Sequence, residues 1–283
     1  MSDQIRCIER NINPNIANYN DADLRICVCL QQYRLDLGVS GVEDRTPLAL
    51  ASYDFSATGK SFSECIQELM LSEQLLDASF HYGKRIFSVP DFKSTLIPEK
   101  LYEAEHGKDY LDSLFHLNGK ECITREIEPN TKSFILTAFN NNYLKTAQRI
   151  FAQDDQVGFL SVYACLLREL FRLGQTYRRF SHHILLNVRK NEFDLCVKGD
   201  EGLLFINTFP YPDFNNLLYY FLYALNTLKI DMGAAALFLS GRASEQDLLH
   251  QIEDHVYAVT YLPAPSNIRF PREMPYDRYF ICL

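Results

Sequence analysis

The chain has 283 residues, of which 47% are hydrophobic and 23% charged, and it carries a formal net charge of −8. That length is long for one core and predicts two domains of ordinary globular composition, not a disordered chain. The acidic balance argues against a broad nucleic-acid face, which needs concentrated Lys and Arg to neutralise phosphates. Eight cysteines without a Cys-x-x-Cys pattern argue against a disulfide framework or a zinc set.

Residues 1–22 are polar and carry no sustained period, so they are expected to form an irregular lead-in with no secretory leader. A three-strand unit is predicted over about 24–55: Arg25–Leu30, a short turn, Tyr33–Val39 with Leu35, Leu37 and Val39 alternating, then Leu48–Tyr53. Cys27 and Cys29 lie two apart on the first strand and share one face. Gly59-Lys60, with Ser61 or Ser63 as N-cap, opens a helix whose stripe is Phe62, Ile66, Leu69, Met70 and Leu76, interrupted at Glu73.

From Lys84 the period returns to two, predicting strands at Arg85–Val89 and Ser94–Pro98, then a helical stretch near 104–117. Strands Glu121–Glu128 and Ser133–Phe139 follow, with a helix at Asn141–Phe151, a strand at Phe159–Tyr163 and a helix at Leu166–Leu173 that Gly174 stops. The domain boundary is placed between about 174 and 181.

The three-strand unit then recurs as His183–Val188, Glu192–Val197 and Leu204–Phe209. Ile26 aligns with Ile184, Asp36 with Asp194 and Leu37 with Leu195 at one spacing, 184 minus 26 and again 194 minus 36. Pro210–Asp213 forms a turn and N-cap for a helix over Phe214–Leu228, which is apolar around most of its circumference and is expected to pack on more than one side. A strand at Ala234–Leu239, a helix at Glu245–Asp254 and a strand at Tyr257–Leu262 follow, and a proline-bearing tail, 263–283, is expected to dock back through Tyr279–Cys282. The longest apolar run, around Leu217–Leu228, is too short to span a bilayer. A soluble cytoplasmic protein with reduced, buried cysteines is expected.

Two copies of three antiparallel strands, each followed by helix, strand, helix and strand, resemble the actin-like fold of sugar kinases, heat-shock chaperone ATPases and actin. Thr95–Tyr102, Asn207–Phe209 leading into Asp213–Leu228, and Ala236–Gly241 are similar to an uncharacterised Bacteroidota protein family of that superfamily. The resemblance covers about 24–262. It implies an α/β fold of duplicated actin-like (ribonuclease H-like) domains, each with a mixed sheet led by a three-stranded antiparallel unit, facing a cleft. The first domain would be 24–176 with an extra segment at about 84–130, and the second 177–262. No activity comes with the resemblance. The layout from Phe134–Phe139 through Phe159–Tyr163 is also similar to cytoplasmic actin-like assembly proteins of type IV pilus and type II secretion systems.

Actin-like ATPases place a carboxylate and glycines in the turns of their two leading hairpins, where the carboxylate holds a magnesium shell and glycine lets backbone N–H groups reach phosphates. Here the turns are Leu30-Gln31-Gln32-Tyr33 and Val188-Arg189-Lys190-Asn191-Glu192, with neither glycine nor aspartate. Asp36 and Asp194 fall within the second strands and read as outward-facing or edge positions, not metal ligands. Ser240, Gly241 and Ser244 follow a strand and open a helix, a place for a nucleotide or other anion, although Ser244-Glu245-Gln246-Asp247 also reads as a capping box. Arg168, Arg172, Arg178 and Arg179, interleaved with Tyr177 and Phe180, form a basic cluster that reads either as a partner site or as a solvated helix end.

These readings combine into a protein that keeps the actin-like fold without its phosphate-handling turns: a non-catalytic interaction or scaffold protein with a protein partner, no catalytic residue, no metal and no cofactor. The alternatives are a nucleotide-binding protein or weak ATPase or kinase, taking ATP and magnesium beside Gly241, and an RNA-linked regulatory protein using the arginine cluster.

Overall fold

The computed structural model describes residues 5–31, 33–43, 47–77, 81–89, 93–151, 157–189, 192–241, 252, 255–256 and 258–262. The expected helix at Glu245–Asp254, nearly all of it, and the tail from Pro263 lie outside the described residues. The chain divides into two compact units, one mainly of residues 1–128 and 132–164, the other mainly of 165–282. No described helix is long and apolar enough to cross a membrane.

The first unit holds a six-stranded sheet. It contains β1 (Arg6–Ile12), β2 (Leu24–Gln31), β3 (Arg34–Gly41), β4 (Pro47–Asp54) and β5 (Lys84–Ser88), and its order is β1-β4-β3-β2-β5 followed by a two-residue strand, Gly158–Phe159, numbered β9 below. β1 to β4 pair antiparallel, while β5 runs parallel to β2. The strand β1 corrects the expectation of an irregular lead-in. Its side chains are mostly polar, with Ile8 and Ile12 four apart, so no apolar period of two marks it; the open edge of β4 supplies backbone partners that side-chain pattern cannot reveal.

One face of this sheet buries Ile26, Val28, Leu30, Leu35, Leu37 and Val39 beneath α1 (Phe62–Ser72) and α3 (Asn141–Ile150). Ser61 caps α1 in a full capping box with Glu64. The helix stops before Leu76 because Glu73 leaves helical geometry and its carboxylate accepts the Leu75 N–H, capping a 3₁₀ turn at Gln74–Leu76. A second sheet, in the order β6-β8-β7, comprises β6 (Lys93–Pro98), β7 (Glu121–Glu128) and β8 (Ser133–Asn140), with α2 (Gly107–Phe115) against it around Leu111 and Leu136.

The expected strand Phe159–Tyr163 is corrected: β9 is Gly158–Phe159 alone, and α4 (Val162–Thr176) begins after two intervening residues. The Ser161 hydroxyl accepts the Ala164 N–H, so a helix cap, not a strand, takes this apolar run.

The second unit holds a five-stranded sheet in the order β12-β11-β10-β13-β14. Its strands are β10 (His182–Val188), β11 (Glu192–Gly199), β12 (Gly202–Pro210), β13 (Ala235–Gly241) and β14 (Ala258–Tyr261). The leading three are antiparallel, and β13 and β14 join in parallel. Thus β4-β3-β2-β5 and β12-β11-β10-β13 share order and direction.

Helix α5 (Phe214–Thr227) starts on the Asp213 carboxylate, which accepts the Asn216 N–H at 3.0 Å. It buries one stripe, Leu217, Phe221, Ala224 and Leu225, against the sheet. Tyr219 and Tyr223 are 61% and 59% exposed, which corrects the expectation of packing on several sides. Tyrosine is apolar enough to make the sequence look buried all round, while its hydroxyl tolerates water.

Candidate functional site

Strand register explains what surrounds the two aspartates. In an antiparallel or parallel ladder, residues paired across strands present their side chains on the same face. Glu9 pairs with Ser52, Ser52 with Asp36, Asp36 with Cys29 and Cys29 with Ser88. In the second unit, Thr208 pairs with Asp194, Asp194 with Asn187 and Asn187 with Ser240. Each sheet therefore carries a transverse polar row, with a hydroxyl on the strand flanking the aspartate and a serine on the parallel strand.

Asp36 is 1% exposed and Asp194 is 0% exposed, which corrects their reading as outward-facing or edge positions. Alternation sets each on the face opposite its neighbours, Leu35 and Leu37 or Phe193 and Leu195, and the sheet buries both faces. The Asp36 carboxylate accepts from Arg34 Nε at 2.7 Å, from the Ser52 hydroxyl, and from Gln31 Nε2 at 3.2 Å. Asp194 accepts from Arg189 Nη2 at 2.9 Å, Thr208 Oγ1 at 2.7 Å and Asn187 Nδ2 at 2.9 Å. The network extends from Asn187, whose carbonyl accepts the Ser240 hydroxyl at 2.8 Å, and from Arg189, which also meets Glu192 at 2.8 Å.

A carboxylate taken from water must be paired and hydrogen-bonded, and both are. Each spends its lone pairs on an arginine, a hydroxyl and an amide of its own unit. Among the described residues, no group of three or more His, Cys, Asp or Glu side chains is placed to hold a metal ion. These aspartates tie strand ends together.

The remaining sequence candidates are placed as follows. Ser240 is buried in β13, its hydroxyl committed to Asn187. Gly241 has φ +71°, and a Cβ there would lie 2.1 Å from the Val188 carbonyl oxygen, so both conformation and close approach require glycine. Ser244 and its capping pattern lie outside the described residues. In the arginine cluster, Arg168 is exposed and Arg172 makes a fork with Glu169 at 2.7 and 2.8 Å. Arg178 donates to the Gln175 carbonyl, and Arg179 lies over the Phe180 ring at 4.7 Å. His183, which follows His182 at the start of β10, is buried with Nε2 3.0 Å from the Tyr177 carbonyl, and burial holds its pKa below the ordinary value.

Cys27, Cys29, Cys65, Cys165 and Cys196 are buried free thiols. Burial pushes the Cys27 and Cys196 pKa values far up, so neither offers a thiolate.

Sequence reasoning missed two carboxylates. Glu73 accepts from Arg10 Nε at 3.1 Å and from the Tyr53 hydroxyl. Burial opposes its ionisation, and the bonds from Arg10, the Leu75 N–H and Tyr53 outweigh that, holding the carboxyl below its usual range. Its signal was the break in the helical stripe. Glu9 is 8% exposed, and its carboxylate oxygens have no hydrogen-bond partner among the described residues. Burial and the nearby Asp36 charge, opposed by Arg34, push it up to about 7. No sequence signal marked it, because β1 itself was not legible.

The family described as Protein of unknown function (DUF3822) matches residues 13–257. The chain belongs to that family. Among solved structures, it is similar to a Bacteroides thetaiotaomicron protein with an actin-like ATPase fold and unknown function, at a TM-score of 0.72 and 16% identity over 86% of this chain and 91% of that one. It is also similar to the PilM-PilN type IV pilus biogenesis complex, at a TM-score of 0.57 and 12% identity over 84% of this chain and 88% of that one. No curated protein matches the sequence. The fold of this DUF3822 chain is thus actin-like, as the paired three-strand units led one to expect, and the resemblance to an uncharacterised family of that superfamily holds.

Proposed function

We propose that the protein is a non-catalytic actin-like interaction protein whose six-stranded and five-stranded sheets descend from one duplicated unit. The observation that carries this is the closure of Asp36 by Arg34 and of Asp194 by Arg189: the aspartates are equivalent in the two leading hairpins, and each is neutralised by an arginine of its own hairpin, from the second strand in one and from the turn after the first strand in the other. An ATPase of this fold needs carboxylate charge facing magnesium and glycine amides facing phosphate. Here the charge is neutralised inside each sheet, and the turns Leu30–Tyr33 and Val188–Glu192 hold no glycine. The equal offset of Asp36 and Asp194, with matching strand order and matching polar rows, supports duplication. That PilM is a structure solved in complex with PilN supports a protein partner as the ligand class. Buried free thiols suit a reducing compartment, and the cytoplasm is the location we favour.

The test is titration calorimetry with magnesium and ATP, run beside a thermal-shift assay. We expect no binding heat and no shift in Tm at millimolar nucleotide, since a ligand at a hundred times its Kd would stabilise by about 2.7 kcal/mol. Saturable binding would instead place the nucleotide reading, with Ser240, Gly241 and Ser244 as its anchor, ahead of ours. Steeply salt-dependent RNA binding lost on changing Arg168, Arg172, Arg178 and Arg179 would favour the RNA-linked reading.

A further inference from the structure

The sheet of the second unit ends in two strands, β12 and β14, each paired on one side only by a described strand, and β12 is the longer. β12 ends the sheet order, and its nine residues, Gly202–Pro210, carry no charged side chain. Sheet edges are ordinarily protected by lysine, proline or an inward charge along their length. β12 has Pro210 at its last position and a bulge at Leu204 near its start, where the register with β11 shifts, so Phe205–Phe209 is the regular, uncharged part of the edge.

Beside this edge stands α5, and the two are joined by a continuous run of rings. Phe205 stacks near Phe209 at 6.1 Å, Phe209 on Tyr220 at 5.4 Å, Tyr220 against Tyr219 at 5.4 Å, and Tyr219 on Tyr223 at 5.9 Å. Phe205, Phe209 and Tyr220 are half-buried, and Tyr219 and Tyr223 stand out in water. The result is an uncharged strand edge with an aromatic shelf rising from it along a helix.

Charge appears only at the ends. Asp200 and Glu201 precede β12 and are exposed, and Asp213 follows it, exposed at the N-terminus of α5. Lys198, in the preceding strand, is turned onto the Phe171 ring and donates to the Gly199 carbonyl. A second copy of this chain is a poor occupant: two β12 edges pairing antiparallel would bring Asp200 and Glu201 of one copy against Asp213 of the other, in a chain of net charge −8.

We propose that the outer edge of β12, beside α5, binds an extended segment of a partner protein, with aliphatic side chains at alternate positions and Lys or Arg at its ends, added to the sheet as a further strand. Main-chain bonds to the β12 edge hold the segment, the side chains on one face rest on Phe205, Phe209 and Tyr220 with Tyr219 and Tyr223 as the wall, and the acidic ends select basic flanks. The inference rests on the reading of the protein as an interaction module, and it names the surface and the chemistry of the ligand.

The experiment is selection of a displayed random-peptide library on the full chain, with synthetic peptides from the selected consensus titrated by fluorescence anisotropy. The expected consensus alternates aliphatic residues between basic ends. Its affinity falls as salt rises, and it drops at least about tenfold in the Tyr219→Ala, Tyr223→Ala double variant. Both tyrosines are exposed, so the variant keeps the wild-type thermal melt; Asp200→Lys, Glu201→Lys provides a second variant that should lose the preference for basic flanks. Three results overturn the proposal: no selected peptide, peptides with helical spacing, or affinity unchanged by both variants. Sedimentation showing a dimer that the tyrosine variant splits would assign the edge to a second copy and also overturn it. Nucleotide calorimetry on the same protein separates the two failures, because binding of ATP would sink the non-catalytic reading without moving the peptide result.

Discussion

At the residue scale, Glu9 shows what burial without a partner does to a carboxyl. Its pKa rises from 4.5 to about 7 because water is removed and no donor replaces it. The folded state then holds more protons than the unfolded chain between those values, so the contribution of Glu9 to stability falls as pH rises through that window. Carboxyls held low by donors, such as Glu73 and Asp54, act in the opposite sense and lose their contribution as pH falls. The comparison of wild type with Glu9→Gln isolates the first effect. We expect the variant to match wild type near pH 4 and to exceed it by about 1–2 kcal/mol at pH 8, less than the full rise would give because solvent screens a partly hydrated carboxylate, read by urea denaturation at each pH. An unchanged difference across the pH range would show that Glu9 is hydrated in the folded protein.

At the element scale, most strands and helices could be read from period, and the exceptions share a cause. The leading strands alternate or run apolar, and α1 and α5 announce their caps in Ser61 and Asp213. β1 failed because an edge strand needs a neighbour more than a pattern, and the segment after β9 failed because Ser161 caps a helix inside an apolar run. Gly241 is the position where an element's end depends on one residue. Its positive φ and the Val188 carbonyl 2.1 Å from a would-be Cβ mean that Gly241→Ala must move backbone, not merely a side chain. We expect Gly241→Ala to lower Tm by several degrees, corresponding to roughly 2 kcal/mol. A Tm equal to wild type would mean that the end of β13 relaxes freely.

At the scale of the whole molecule, each unit closes its own polar row around its own aspartate. Asp194→Ala leaves Arg189 short of its buried counter-charge and strips Asn187 and Thr208 of their acceptor; Asp36→Ala does the same to Arg34, Ser52 and Gln31. Breaking a buried pair from one side costs about 3–5 kcal/mol. In hydrogen exchange, the Asp194 variant should first lose protection in β10 to β12, and the Asp36 variant in β2 to β4. Loss spread evenly over both sheets from either change would show that the two rows are not independent.

What the sequence determined by itself was the repeated three-strand unit and its equal offset, because apolar alternation and cap residues are local; the actin-like fold came from the resemblance of that order of elements to a known superfamily. The sequence also established that the hairpin turns lack the glycine and aspartate that phosphate chemistry uses. The tertiary structure alone decided the fate of Asp36 and Asp194. Whether a polar residue between apolar neighbours meets water or a second layer depends on what covers the opposite face, and a period of two carries no information about that. The same holds for Glu9, buried through an edge strand recruited by β4, and for Tyr219 and Tyr223, whose exposure depends on how wide a stripe of α5 the sheet can cover.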